Sequence, residues 1–182
     1  MIINFHPKEK ESKKGVEVIA ELNKGGAHEV FHVTDKTAEE WQAVINSDEK
    51  IILVAPTYWW GLSYEFDRWA QNVLSYGYAY KYTAEGIPEG LLKGRAFELH
   101  TTQGTPEIYA TKMRANMKER LEVGIFGFCD AKVDVTFHVA ELRIKTNASR
   151  GVCPFVVVEI SIQKAAQHLS CFYLYTYFVA NR

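Results

Sequence analysis

Apolar positions along the chain follow two alternating periods. Short runs at Met1–Phe5, His28–Val33, Ile51–Ala55, Ala96–His100 and Lys132–Val139 carry the pattern of strands. Between them, apolar residues recur three and four apart, the period of a helix with one buried face. The spacing predicts a helix from about Lys13 to Asn23 on Val16, Ile19 and Ala20, stopped by Gly25-Gly26. Thr37, with Glu40 at the capping-box position, predicts the start of a second helix carrying Trp41, Val44 and Ile45. Phe66, Trp69, Ala70, Val73 and Leu74 form the stripe of a third. Tyr109, Met113, Met117 and Leu121 share one face of a fourth, from Glu107 to Glu122.

The strands differ in kind. Ile51 to Ala55 is continuously apolar, as a strand covered on both faces is. Lys132 to Val139 alternates strictly, with Val133, Val135, Phe137 and Val139 on one side, the signature of a half-exposed edge strand. Strands separated by helices predict an α/β fold with a parallel sheet, because parallel neighbours need a crossover between them. Towards the end, Val156–Ile160 predicts a strand and Gln163–Leu169 one or two helical turns. The aromatic run Phe172–Phe178 has no clear register.

Composition narrows the function classes. The 182 residues are 47% apolar and 24% charged with a net charge of −1, so an ordered globular domain is expected. The densest basic run, Lys8 to Lys14, is broken by Glu9 and Glu11, which argues against a nucleic-acid footprint. Cys129, Cys153 and Cys171 have neither disulfide-framework nor zinc spacing, which fits a reducing cytoplasm. Met1 onward shows no signal-peptide pattern. The longest apolar stretches, such as Cys171–Ala180, fall short of the roughly 20 residues that span a bilayer.

In an open parallel sheet, ligands bind beyond the carboxyl ends of the strands. Three loops belong at that edge. His6 to Ser12 leads to a helix N-terminus with Ser12 and Lys14, a place for a phosphate or simply a solvated loop with a Ser cap. Pro56 to Ser63 contains Tyr58, Trp59 and Trp60 where the chain leaves a buried strand. Aromatics there either stack on a planar ring or pack a core rim or a dimer contact. Thr101-Thr102-Gln103-Gly104 offers backbone donors beside it, or a plain strand-to-helix turn. Tyr109, one turn into the next helix, either joins the core or points its hydroxyl into a cleft. Tyr76, Tyr78, Tyr80 and Tyr82 alternate as in a strand or an aromatic loop at an interface. His28, His32, His100 and His138 show no metal-ligand spacing and are assigned structural or surface roles; no metal site is expected. No Walker loop, Gly-x-Ser-x-Gly or Gly-x-Gly-x-x-Gly is present.

Taken together, these stretches resemble the flavodoxin-like NAD(P)H:quinone oxidoreductase family over roughly residues 1–142. His6-Pro7 with Ser12 looks like the family's flavin-phosphate loop. Pro56-Thr57-Tyr58-Trp59-Trp60-Gly61 looks like the loop beside the isoalloxazine. Trp69–Leu74 followed by Gly77-Tyr78-Ala79-Tyr80 is similar to its helix and aromatic turn, and Thr101–Gly104 to its Thr-Thr-Gly-Gly loop. The resemblance implies an α/β flavodoxin-like open sheet of five parallel strands, in the order 2-1-3-4-5, with helices on both faces. Residues 143–182 form a C-terminal segment expected to pack on the same domain.

The resemblance further implies FMN or FAD as cofactor, held by His6, Ser12, Lys14, Pro56, Thr57, Tyr58, Trp59, Trp60, Thr101, Thr102, Gln103 and Gly104. NAD(P)H is the implied co-substrate, a quinone-like molecule the acceptor, ping-pong the kinetic pattern, and a homodimer the assembly. Tyr109 holds the position of the family's Tyr at the hydride-transfer site. The chain departs from the pattern where Ala115 replaces the His that completes the mammalian pair. Gln103 replaces a Gly, Ser63 a Pro, and Lys14 an Asn. The connection between the second and third strands is also short. A non-catalytic flavoprotein, either an electron carrier or a transporter's regulatory subunit, is the alternative reading. A fold relative without cofactor is a third.

Overall fold

The computed structural model describes residues 1–8, 11–47, 50–104 and 107–139. The expected strand at Val156–Ile160 and helical turns at Gln163–Leu169 lie outside the described residues.

Five parallel strands form the central sheet. They are β1 (Ile2–Asn4), β2 (Val30–His32), β3 (Ile51–Tyr58), β7 (Ala96–Gln103) and β8 (Lys132–Val139), in the order β2-β1-β3-β7-β8. This is the expected order, with β3 in the middle and both edges half-exposed. Helices α1 (Lys13–Leu22), α2 (Ala38–Ser47), α3 (Tyr64–Val73) and α4 (Glu107–Glu119) supply the crossovers. A short β4 (Gly61–Leu62) folds back antiparallel on β3, and β5 (Tyr80–Tyr82) pairs β6 (Pro88–Gly90) in a separate hairpin.

The core divides by sheet face. Ile3, Phe5, Trp41, Leu53, Phe66, Leu99, Leu121 and Phe126 form the larger cluster; Ile2, Val18, Ile52 and Val54 form a smaller one involving α1. Trp41 is 1% exposed, and its indole N–H donates to the Val33 carbonyl at 3.0 Å, which removes the penalty of burying that polar group.

Several boundaries differ from the pattern-based expectation, each for a local reason. Helix α1 buries Gly15 and Val18 and leaves Val16 53% exposed, so its inner stripe is 15-18-19-22. Both β3 and β7 run three residues further than their apolar runs. Ladder pairs Ala55↔Thr101, Pro56↔Thr102 and Thr102↔His138 continue after the hydrophobic side chains end. Pro56 is tolerated there because Val54 faces β1, accepting from Phe5 N–H, and strand residues alternate. Its missing donor therefore points to the side where the β1 ladder has already stopped at Asn4. The fourth helix stops as α-helix at Glu119 and widens into a π-helical segment, Arg120–Phe126, closed by Gly127 N–H to the Glu122 carbonyl. A Cβ on Gly127 would overlap that carbonyl, so glycine is required. Of the alternating tyrosines, Tyr80 and Tyr82 lie on β5, while Tyr76 packs against both across the Gly77 turn.

Candidate functional site

The carboxyl ends of β1, β3 and β7 bring the three candidate loops to one edge of the sheet. The β1 end is built around His6, whose four polar groups are all engaged. Its N–H donates to Asn4 Oδ1 (3.1 Å) and its carbonyl accepts from His32 Nε2 (3.0 Å). Its Nδ1 accepts from Lys8 N–H (3.0 Å), which leaves Nε2 to carry the proton facing the Tyr58 hydroxyl at 3.4 Å. Burial holds the His6 pKa below the ordinary imidazole value, favouring this neutral form. His6 thus ties the first loop to β1, β2 and β3 and acts as a structural post.

Ser12 caps α1. Its Oγ accepts from Gly15 N–H at 3.1 Å, and a Cβ at position 15 would come within 2.5 Å of that oxygen, so glycine lets the cap close. The hydroxyl proton of Ser12 remains available to a ligand oxygen. The first turn of α1 holds no acidic residue and begins Lys13-Lys14. Cations at a helix N-terminus oppose the helix dipole, and an anion placed there relieves both. Lys14 is exposed and pairs loosely with Glu17 at 3.4 Å.

At the β3 end the aromatics form a tight turn rather than a loop. Tyr58 pairs Gly61 across the β3–β4 hairpin, and the two residues between them, Trp59 and Trp60, have φ of 50° and 64°. Two positive φ values at the centre of a two-residue hairpin turn are the requirement met elsewhere by Asn-Gly. Here two tryptophans meet it, a strained choice of a kind that clusters at ligand sites. Trp59 is 99% exposed, whereas Trp60 is half-buried. Ser63, in place of the family's Pro, donates through Oγ to the Phe5 carbonyl (2.8 Å) and caps α3, fastening the turn to the end of β1.

The β7 end supplies Thr101, Thr102 and Gln103, all buried, with Gly104 exposed after them. Thr57 Oγ1, Thr101 Oγ1 and both amide atoms of Gln103 are buried without a hydrogen-bond partner among the described residues. Native interiors rarely leave such groups orphaned. Donors and acceptors left open at the ends of two adjacent strands fit the polar edge of a planar heterocycle, and the tryptophan turn supplies an apolar surface on the neighbouring strand. Tyr109 falls in the first turn of α4; its side chain is outside the described residues. Ala115 is exposed on the same helix.

The pattern of apolar runs missed Asn4, whereas His32, assigned a structural or surface role, holds the His6 carbonyl. Both are polar residues ending short strands, and that position was the available signal. The structure also joins two histidines assigned separate roles: His100 Nδ1 and His138 Nε2 lie 3.0 Å apart across β7 and β8. No group of three or more metal-binding side chains occurs among the described residues, and no helix there is long and apolar enough to cross a membrane.

Comparison with known proteins identifies the fold. A family profile described as flavodoxin-like fold matches residues 1–151. An FMN-dependent NADH:quinone oxidoreductase of Bordetella petrii is 30% identical over 78 residues, a stretch covering 38% of the chain and 38% of that relative. The match thus spans well under half of the relative's length. Among solved structures, general stress protein 14 of Treponema denticola, in complex with FMN, superposes with a TM-score of 0.58 at 20% identity. That alignment covers 76% of this chain and 83% of the other. An FMN-dependent NADH-azoreductase of Bacillus anthracis, also with FMN, gives 0.54 at 18% identity, over 76% and 85%. At these identities the superpositions establish the shared fold.

Proposed function

The chain belongs to the flavodoxin-like fold family, and on that premise we propose that it is a flavin-dependent oxidoreductase using FMN. Its proposed reaction carries reducing equivalents from NADH or NADPH to a quinone-like acceptor. The observation that carries the reading is the set of orphaned polar atoms on Thr57, Thr101 and Gln103 beside the strained Trp59–Trp60 turn. FMN is preferred to FAD because the Bordetella petrii relative is named FMN-dependent and both superposed proteins hold FMN.

When bound, FMN would supply the two-electron chemistry. The residues bind and orient. Ser12, Lys14 and the first N–H groups of α1 would hold its phosphate. Trp59, Trp60, Gln103 and the Gly104 N–H would hold its ring, with backbone N–H groups beside it as donors. Tyr109 donates a hydrogen bond to the substrate oxygen. If the nicotinamide and the acceptor occupy one site in turn, the kinetics would be ping-pong. A two-fold dimer is part of the proposal; exposed Tyr76 and Tyr82, 64% and 51% accessible, are apolar surface it would use.

The test is the absorbance spectrum of the purified protein after FMN addition, then after anaerobic NADH or NADPH. Retention of FMN and bleaching by a nicotinamide support the reading. Retention without bleaching would favour a carrier or regulatory flavoprotein, for which the exposed Ala115 is the specific pointer. Failure to retain FMN would refute FMN binding, and failure with added FAD as well would refute flavin binding.

A further inference from the structure

On the flavin reading above, we propose that His32 is a positioning residue for the phosphate loop. It holds the His6 carbonyl and thereby the point at which the first loop leaves β1. His32 ends β2, outside every segment that resembles a flavin motif. Its backbone is already fixed, because its N–H donates to Asp35 Oδ2 at 2.7 Å and its Cα pairs with Asn4 in the β1–β2 ladder. The ring is therefore free for another task.

The ring's tautomer follows from its contacts. Thr34 presents two donors to Nδ1, its hydroxyl at 2.7 Å and its N–H at 3.4 Å. Nδ1 therefore carries a lone pair, and the proton resides on Nε2. That N–H is aimed at the His6 carbonyl, 3.0 Å away and 26 residues distant in sequence. The next residue, Pro7, has no N–H, and the Lys8 N–H is spent on His6 Nδ1. Among the described residues the His6 carbonyl takes its hydrogen bond from His32, and the orientation of that carbonyl sets the direction in which the chain leaves β1. The ring does two separable things: Nδ1 caps the turn Val33–Asp35, and Nε2 holds the loop.

Two amide substitutions separate these. His32→Gln places an amide N–H2 near the Nε2 position, and His32→Asn places an amide oxygen near Nδ1. FMN is titrated into the full-length apoprotein and followed by flavin fluorescence quenching. The expected result is that H32Q binds within about threefold of wild type. H32N and H32L bind about tenfold more weakly, which corresponds to ~1.4 kcal/mol. Urea midpoints of the apo variants control for folding; H32N is expected to match H32Q. If H32N binds like wild type while H32Q is weakened, the cap is what matters and the proposal fails. Equal binding by all variants also overturns it. Wild-type protein that takes up no FMN overturns the FMN reading and this inference with it.

Discussion

The Trp59–Trp60 turn makes the sharpest prediction, because its strain and its exposure act on different measurements. Trp59 has φ 50° yet is 99% exposed. A non-glycine residue in the left-handed region costs roughly 1–2 kcal/mol, and asparagine recovers part of that through its short polar side chain. Because Trp59 buries almost nothing, its removal forfeits no hydrophobic stabilisation to offset the gain. Trp59→Asn is therefore expected to stabilise the apoprotein by ~1 kcal/mol. For a chain of this length that is a rise of about 2–4 °C in Tm. Urea unfolding followed by far-UV circular dichroism measures it directly. The same variant is expected to weaken FMN binding about three- to tenfold, since an aromatic stacking partner contributes ~0.5–1.5 kcal/mol beyond its buried area. A less stable W59N apoprotein would refute the strain argument. A stabilised variant with unchanged FMN affinity would remove Trp59 from the site.

Other outcomes follow from single contacts. Ser63→Ala leaves the buried Phe5 carbonyl without its partner and α3 without its cap, so a loss of about 1–2 kcal/mol is expected in urea denaturation. Tyr109→Phe is expected to slow quinone reduction about a hundredfold while FMN stays bound; stopped-flow rates at unchanged flavin content check it. Burial holds the pKa values of His6, His100 and His138 below 6.5, so below that pH the unfolded chain takes up protons that the folded chain refuses. Their contribution is fully present above pH 6.5 and is lost as pH falls through 6.5 towards the folded values. Unfolding free energy is expected to be lower at pH 5.5 than at pH 7.5. A gain on acidification would show the sign to be wrong.

Much of the fold was legible because the sheet's period is written in its side chains. Ile51–Ala55 announced a central strand, and the alternation from Lys132 to Val139 announced an edge. The ends of β3 and β7 were not legible as strand, because pairing there continues through Pro56, Thr57 and the two threonines, whose side chains carry no hydrophobic signal. The π-helical segment was hidden for a related reason: Leu121 still falls on the buried face while the hydrogen-bond register changes after Glu119. In the site, the tryptophans stood out by type, but their left-handed backbone did not, since neither residue advertises it. His6 stood out as a ligand candidate, yet its bonds to Asn4, His32 and Tyr58 depend on the tertiary arrangement of three strands.

The topology also bears on how the chain reaches this state. Every parallel ladder joins segments far apart in sequence: β3 meets β1 about 50 residues upstream and β7 about 45 residues downstream. Each such pairing must close a long loop before any contact compensates for it. The β3–β4 turn, like the β5–β6 hairpin, is local, closing across two residues at the carboxyl end of the strand shared by both central ladders. On contact order the tryptophan hairpin and the β5–β6 hairpin are expected to form early, and the arrivals of β1 and β7 alongside β3 are expected to be the slow steps. Relieving the turn's strain is expected to alter the folding rate, whereas changes at the β2 and β8 edges show up mainly in unfolding.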